Sequence, residues 1–222
     1  QARWQTFGYV SDGLFKDEAD IATSPDQSAL GEVRPGDIRY KDLNNDGVID
    51  SKDVKAIGYT DVPEIVYGFG VSAQWKGFDV SVFFQGNDHV SFSINSSMVR
   101  GFTEPKMAAN NVFSDIYGNY WTESNTDAKY PRLTTTEATN NNQSSDFWLV
   151  NGRYLRLKNA EFGYTFPKKL IQKIRLSQLR IFVSGTNLLT FAPFKLWDPD
   201  LQTGASNYPN TRVANIGLNI GF

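Results

Sequence analysis

The sequence contains no cysteine and a single histidine, His89. Disulfide frameworks, zinc–thiolate sites and iron–sulfur centres are therefore excluded, and His-based triads and multi-histidine metal sites almost so. A basic excess is also missing. Lys plus Arg number 22 against 24 Asp plus Glu, a net charge of −2, which argues against nucleic-acid binding. No apolar run reaches the roughly 18 residues of a membrane-spanning helix. There is no secretory leader, and the chain opens at Gln1 rather than Met, which reads as a mature product or a piece of something longer. Catalytic groupings are lacking too. The acidic pairs Asp17/Glu18 and Asp198/Asp200 come with no nucleophile–base–orienter set, so the chain is read as non-enzymatic. Asp198-Pro199-Asp200 reads as the start of a turn, and His89 as a surface or hydrogen-bonding residue just past a strand.

What is present points to β-structure. At 222 residues the chain can bury a sizeable core, and its aromatic content is high, with 16 Phe, 10 Tyr and 5 Trp. Period-two alternation is the main signal. Ile65, Tyr67, Phe69, Val71, Ala73 and Trp75 share one face of a strand over 65–75, opposite Val66, Gly68, Gly70, Ser72 and Gln74. Lys76-Gly77 marks a tight turn into a strand over 78–86, where Phe78, Val80, Val82 and Phe84 face away from Asp79, Ser81, Phe83 and Gln85. A third strand covers 153–166. Its lower half (Ala160, Phe162, Tyr164, Phe166) and its upper half (Leu155, Leu157) have opposite parity, which predicts a β-bulge or a differently packed upper end. Pro167 closes it, and a short, helical connection leads to strands over 178–189 and 211–222, the last ending on Phe222.

Alternation of this kind suits a soluble β-sandwich as well as a membrane barrel. Two features favour the barrel. The connections alternate between short (Lys76-Gly77, Pro167–Ser177) and long (Asn87–Gly152, Phe191–Pro209), as in outer-membrane barrels with short periplasmic turns and long outside loops. The polar faces are Gly, Ser, Asn, Gln and Thr, which suit a wet lumen, while Trp75, Phe78 and Phe166 lie near the short turns where an aromatic girdle belongs. Five strands cannot close, and open edges are not tolerated in lipid. The predicted fold class is therefore all-β: an antiparallel transmembrane β-barrel segment, the end of a larger barrel. Residues 1–63 are read as an extracellular loop region and 64–222 as barrel strands carrying long loops at 87–152 and 191–209. The alternative is a soluble or surface-displayed β-domain that binds a glycan or protein and has a calcium-stiffened loop. A third reading is a free-standing calcium-binding module around Asp42–Asp53.

Several blocks, in order, resemble the C-terminal part of the SusC/RagA-type TonB-dependent outer-membrane transporters. They are FGYVSDGLF (Phe7–Phe15), PGDIRYKDLNNDGVIDSKDVKAIG (Pro35–Gly58), YGFGVSAQWKGFDVSVFFQGN (Tyr67–Asn87), YWTESNTDAKYPRL (Tyr120–Leu133), NGRYLRLKNAEFGYTFPKKL (Asn151–Leu170), SGTNLLTF (Ser184–Phe191), Asp198-Pro199-Asp200 and the terminal Phe222. The resemblance implies a barrel of about 22 strands, filled by a plug domain that this sequence does not contain. It implies import of glycans, oligosaccharides or peptides, energy supplied by TonB through an absent N-terminal segment, a SusD-like lipoprotein partner, and an outer-membrane location in contact with lipid. It also makes Phe222 a candidate assembly signal; the plainer reading is a last lipid-facing residue, and both can hold.

One segment has metal-ligand spacing. In Asp42–Asp53, oxygen donors from Asp42, Asn44, Asp46, Asp50 and Asp53, with the Val48 carbonyl and a turn at Gly47, follow the calcium-loop pattern. Asp53 stands where an EF-hand has Glu, and no strong helices flank the loop. The expectation is a structural calcium ion; the alternative is a loop of Asx turns closed by side-chain-to-backbone hydrogen bonds. Trp121, Trp148 and Trp197, with Phe191 and Phe194, lie in the long loops and are candidate ligand or lid contacts, or else loop packing. Arg153, Arg156 and Lys158 could face a lumen or be structural.

Overall fold

The structure, a computed structural model, describes residues 4–100, 102, 113–203 and 207–222, and of Ser97 and Met98 the backbone alone. The parts of the two long segments at 101, 103–112 and 204–206 lie outside the described residues. The chain divides into two compact units.

One unit is built mainly from Gln1–Val62 and Val90–Asn151. It contains three small antiparallel ribbons: β1 (Phe7–Gly8) with β4 (Lys55–Ala56), β2 (Ser11–Leu14) with β3 (Ile38–Tyr40), and β7 (Ser91–Ser93) with β8 (Leu149–Asn151). Short helices α1 (Glu18–Thr23) and α2 (Ser97–Arg100) accompany them, α1 capped at its start by the Asp17 carboxylate, which accepts the Asp20 N–H at 2.8 Å. Phe15, Ile38, Tyr40, Ile49, Phe92, Ile116 and Trp148 form its buried core.

The free edge of β3 is paired by side chains. Ile38 N donates to Asn141 Oδ1 at 2.8 Å and Tyr40 N to Gln27 Oε1 at 3.1 Å, while Gln27 Nε2 and Asn140 Nδ2 both donate to the Ile38 carbonyl at 2.9 Å. Buried backbone groups left without partners would each cost about 1–3 kcal/mol, so these amides do the work of a missing strand. Asp37, fully buried beside them, is matched by Arg132 at 2.8 Å and by Asn141 Nδ2 at 2.8 Å. Residues 1–63 and the segment 87–152, read from sequence as separate loop regions, thus contribute to one folded body.

The other unit is a five-stranded antiparallel sheet with order β11-β10-β9-β6-β5. Its strands are β5 (Ile65–Trp75), β6 (Phe78–Asp88), β9 (Tyr154–Thr165), β10 (Gln178–Phe191) and β11 (Val213–Gly221), each within two residues of its predicted limits. Lys76 and Gly77 both have positive φ (49° and 90°), which is the type I′ geometry of a two-residue hairpin. The Pro167–Ser177 link holds helix α3 (Lys168–Ile171), a 3-10 turn at Gln172–Ile174 and Arg175 in the left-handed region. Pro167 suits a helix start because its missing N–H would be unpaired there in any case.

The parity break in β9 is a bulge. Phe83 pairs with Asn159 and Phe84 with Leu157, so Lys158 is the extra residue, and the register toward β10 shifts between Thr186 and Leu189. With that residue set aside, Leu155 and Leu157 join Ala160, Phe162 and Tyr164 on one face.

Candidate functional site

The register gives the sheet two unlike faces. Phe69, Phe84, Leu157 and Leu189 lie in one row; Val71, Val82, Ala160, Gly185 and Ala214 in the next; then Val80, Phe162, Val183 and Ile216. Most of these side chains are exposed although apolar, Val71 by 66% and Ile216 by 85%, while Val82, Phe84, Leu157 and Ala160 are half-buried. Toward the short connections the same face turns aromatic. Phe78 lies 4.6 Å from Tyr164, and Tyr164 5.0 Å from Phe166, ring centre to ring centre. A face this apolar and this exposed is not one that water tolerates.

The opposite face carries Ser72, Gln74, Ser81, Gln85, Asn159, Ser184, Thr186, Asn215 and Asn219, with Val66 and Phe83 among them. Glycines make room on it for larger groups. A Cβ at Gly217 would run into the Phe182 ring, and one at Gly163 into the Arg180 guanidinium. That guanidinium bridges three strands. Its Nε donates to Asp79 Oδ1 at 3.1 Å, its Nη2 to Asp79 Oδ2 and, at 2.6 Å, to Glu161, and its carbon stands 4.8 Å over Phe182. Sequence reading missed this triad, although an Arg and two acids of matching parity on three strands were its visible signal.

Farther up the polar face, Arg156 is buried and clamps the β10–β11 connection. Its guanidinium reaches Asp198 at 2.5 Å and Asp200 at 3.0 Å, and stacks 5.1 Å from the Tyr154 ring. Asn210 Nδ2 adds a bond to Asp200 at 2.9 Å. Asp198-Pro199-Asp200, read as a turn start, does turn, with Pro199–Leu201 in a 3-10 helix, and also supplies the anions for this clamp. His89 lies 3.2 Å from Glu64, in keeping with its reading as a hydrogen-bonding residue.

The segment Asp42–Asp53 is closed by its own polar groups. Asp42 accepts the N–H groups of Asn45 at 2.6 Å and Gly47 at 2.7 Å; Asp46 accepts Val48 N at 3.1 Å. Asp53, fully buried, accepts Leu43 N at 2.7 Å and Asp50 N at 2.9 Å, the latter completing a capping box with Asp50. The Lys52 ammonium lies 3.3 Å from both Asp46 and Asp50. Asp46 is held below its ordinary pKa by hydrogen bonds from Asn44, from Val48 N and from Lys52, and the Lys52 pKa is raised in return, chiefly by its bond to Asp46. Among the described residues no three His, Asp or Glu side chains converge as a metal ion requires. Its own side chains and amides close the loop through Asx-type hydrogen bonds.

The three tryptophans differ. Trp148 is buried, its Nε1 donating to the Asn141 carbonyl at 2.7 Å, so it packs within the loop body. Trp121 is half-buried with its ring over Gly36, and Trp197 meets Phe194 edge-on at 4.7 Å. Tyr117 and Tyr208, which the sequence did not single out, are 78% and 83% exposed. Phe222 is also exposed, in line with Ile220 beyond the end of β11.

No family model matches the chain. It is 29% identical to a TonB-dependent receptor, P3, of Formosa agariphila, over 97% of this chain and 22% of that protein. Against the TonB-dependent receptor SusC of Bacteroides thetaiotaomicron the identity is 27% over 85% of the chain and 18% of the relative. The RagAB peptide importer in its open-open state superposes with a TM-score of 0.70 at 21% identity, covering 98% of this chain and 22% of that one. The resemblance to SusC/RagA-type TonB-dependent transporters stands. The SusC/RagA-like chain spans about a fifth of the length of these relatives. Its five-stranded sheet is a stretch of antiparallel barrel wall, with long connections at one end and short ones at the other.

Proposed function

We propose that this chain is part of a TonB-dependent outer-membrane importer that takes up glycans, oligosaccharides or peptides together with a SusD-like surface lipoprotein. The observation that carries the reading is the exposed apolar face of the β5–β11 sheet, backed by a polar, glycine-lined face. Lipid contact on the first and a water-filled lumen on the second account for both. The runner-up, a soluble binding domain, needs a second layer over residues such as Phe69, Val71 and Ile216. In the proposed setting the unit containing Asp42–Asp53 faces the outside, Trp121, Trp197, Tyr117 and Tyr208 are available to substrate or partner lid, and Phe222 is the signal read during barrel assembly.

The test uses the full-length protein in a Gram-negative host. It should fractionate with the outer membrane, co-purify with a lipoprotein, and support uptake of a labelled oligosaccharide or peptide only while TonB is functional. Recovery as a detergent-free monomer would contradict the reading. Calcium at Asp42–Asp53 stays a proposal with its own test, since an entering ion must displace Lys52 from Asp46 and Asp50. Calcium should then raise the unfolding temperature of the loop unit relative to chelator, and Lys52→Gln should enlarge the effect. Identical melts with and without calcium contradict it.

A further inference from the structure

The chain as a whole is slightly acidic, yet its charge is unevenly placed. The two short connections, Lys76-Gly77 and Pro167–Ser177, contain Lys76, Lys168, Lys169, Lys173 and Arg175 and not one acidic residue. They lie together at one end of one sheet: Thr165 N donates to the Gly77 carbonyl at 2.7 Å, and Phe166 N to Leu179 O at 2.9 Å. The nearest acid in sequence, Asp79, belongs to the polar face and is taken by Arg180. Among the described residues none of the five cations is ion-paired with a carboxylate.

Apolar groups surround these cations. Leu170 and Ile174 on the same link are 58% and 62% exposed, while Ile171 turns inward and is buried. The Lys76 ammonium stands 4.7 Å over the Trp75 ring, at the foot of the exposed aromatic cluster. The rim is therefore built like an interfacial anchor: greasy side chains continuous with the apolar face, with long cationic side chains just beyond them.

We propose that this rim binds the phosphate headgroups of anionic phospholipid in the leaflet that meets the short turns. The inference rests on the membrane-barrel reading above. Charge complementarity and continuity with the lipid-facing surface select the occupant. A soluble anion would account for the cations but not for the exposed Leu170 and Ile174 beside them.

The experiment is a lipid titration of the full-length protein in detergent, followed by native mass spectrometry. Phosphatidylglycerol is the probe, phosphatidylcholine the neutral control and inorganic phosphate the free anion. The parent should bind phosphatidylglycerol in preference to phosphatidylcholine, and less tightly as salt rises. The Lys168→Gln/Lys169→Gln/Lys173→Gln variant should bind it roughly a hundredfold more weakly, given a contribution near fivefold from each surface cation. Its heat-modifiable migration should be unchanged, since all three side chains are exposed. Equal binding of the two lipids by the parent, salt-independent binding, or undiminished binding by the variant would each overturn the proposal. So would inorganic phosphate competing as well as the lipid does. Failure of the membrane reading looks different: the protein would then need no detergent and would bind neither lipid.

Discussion

A single buried carboxylate organises the acidic segment. Asp53 spends one oxygen on the amide of Leu43 and the other on that of Asp50, holding both ends of the turn. Removing it takes the acceptor from two partly buried amides. Asp53→Ala should therefore cost the loop about 1–3 kcal/mol of local stability. Hydrogen exchange should show this as faster exchange at Leu43 and Asp50, with the barrel strands unchanged. Asp115 offers a pH test. Its pKa is lowered, first by the hydrogen bond from Lys129 and then by that from Tyr130. A depressed folded-state value means that the contribution is present above the unfolded value, near about pH 4, and is lost as the pH falls through the folded one. Denaturant unfolding of the parent and of Asp115→Asn should differ at neutral pH, with the parent more stable, and should converge in acid.

At the scale of elements, β9 shows what alternation can and cannot tell. Its strand limits and its parity break were legible because apolar period-two residues and Pro167 are local signals. Which residue bulges was not, because that depends on the register against β6 and β10. The body formed by Gln1–Val62 and Val90–Asn151 was hidden for a related reason. Its edge is closed by Gln27, Asn140 and Asn141 acting on Ile38 and Tyr40; the two asparagines stand 102 and 103 positions from Ile38, and the polarity of all three reads as loop. Sequence alone left Trp148 open between a ligand or lid contact and loop packing; its burial needs the folded loop. The β10–β11 connection depends on Arg156 in an equally non-local way. Taking one partner from a buried ion pair costs about 3–5 kcal/mol, so Arg156→Leu should release this connection. Limited proteolysis of the folded protein should then cut near Asp198–Leu201, where the parent resists; unchanged resistance would mean that the clamp is not what holds it.

At the scale of the whole molecule, everything turns on which face of the sheet meets lipid. Neighbouring positions on one strand should respond oppositely to the same substitution. Ile216→Arg places a charge on the apolar face and should cost about 2–4 kcal/mol if it lies near the bilayer midplane, whereas Asn215→Arg on the polar face should be tolerated. Folding yield and heat-modifiable migration of the full-length protein report the difference. A still more direct measurement uses cysteine labels, for which this chain brings no cysteine of its own and any elsewhere in the full-length protein are replaced. Single cysteines placed in turn along Val213–Gly221 of the full-length protein, spin-labelled in outer membranes, can be tested for collision with oxygen dissolved in lipid and with a water-soluble nickel reagent. The account predicts a period of two, with labels at Ala214, Ile216, Leu218 and Ile220 open to oxygen and closed to nickel, and labels at Asn215, Gly217 and Asn219 closed to lipid-borne oxygen. Loss of that alternation, or nickel reaching the apolar positions, would contradict it.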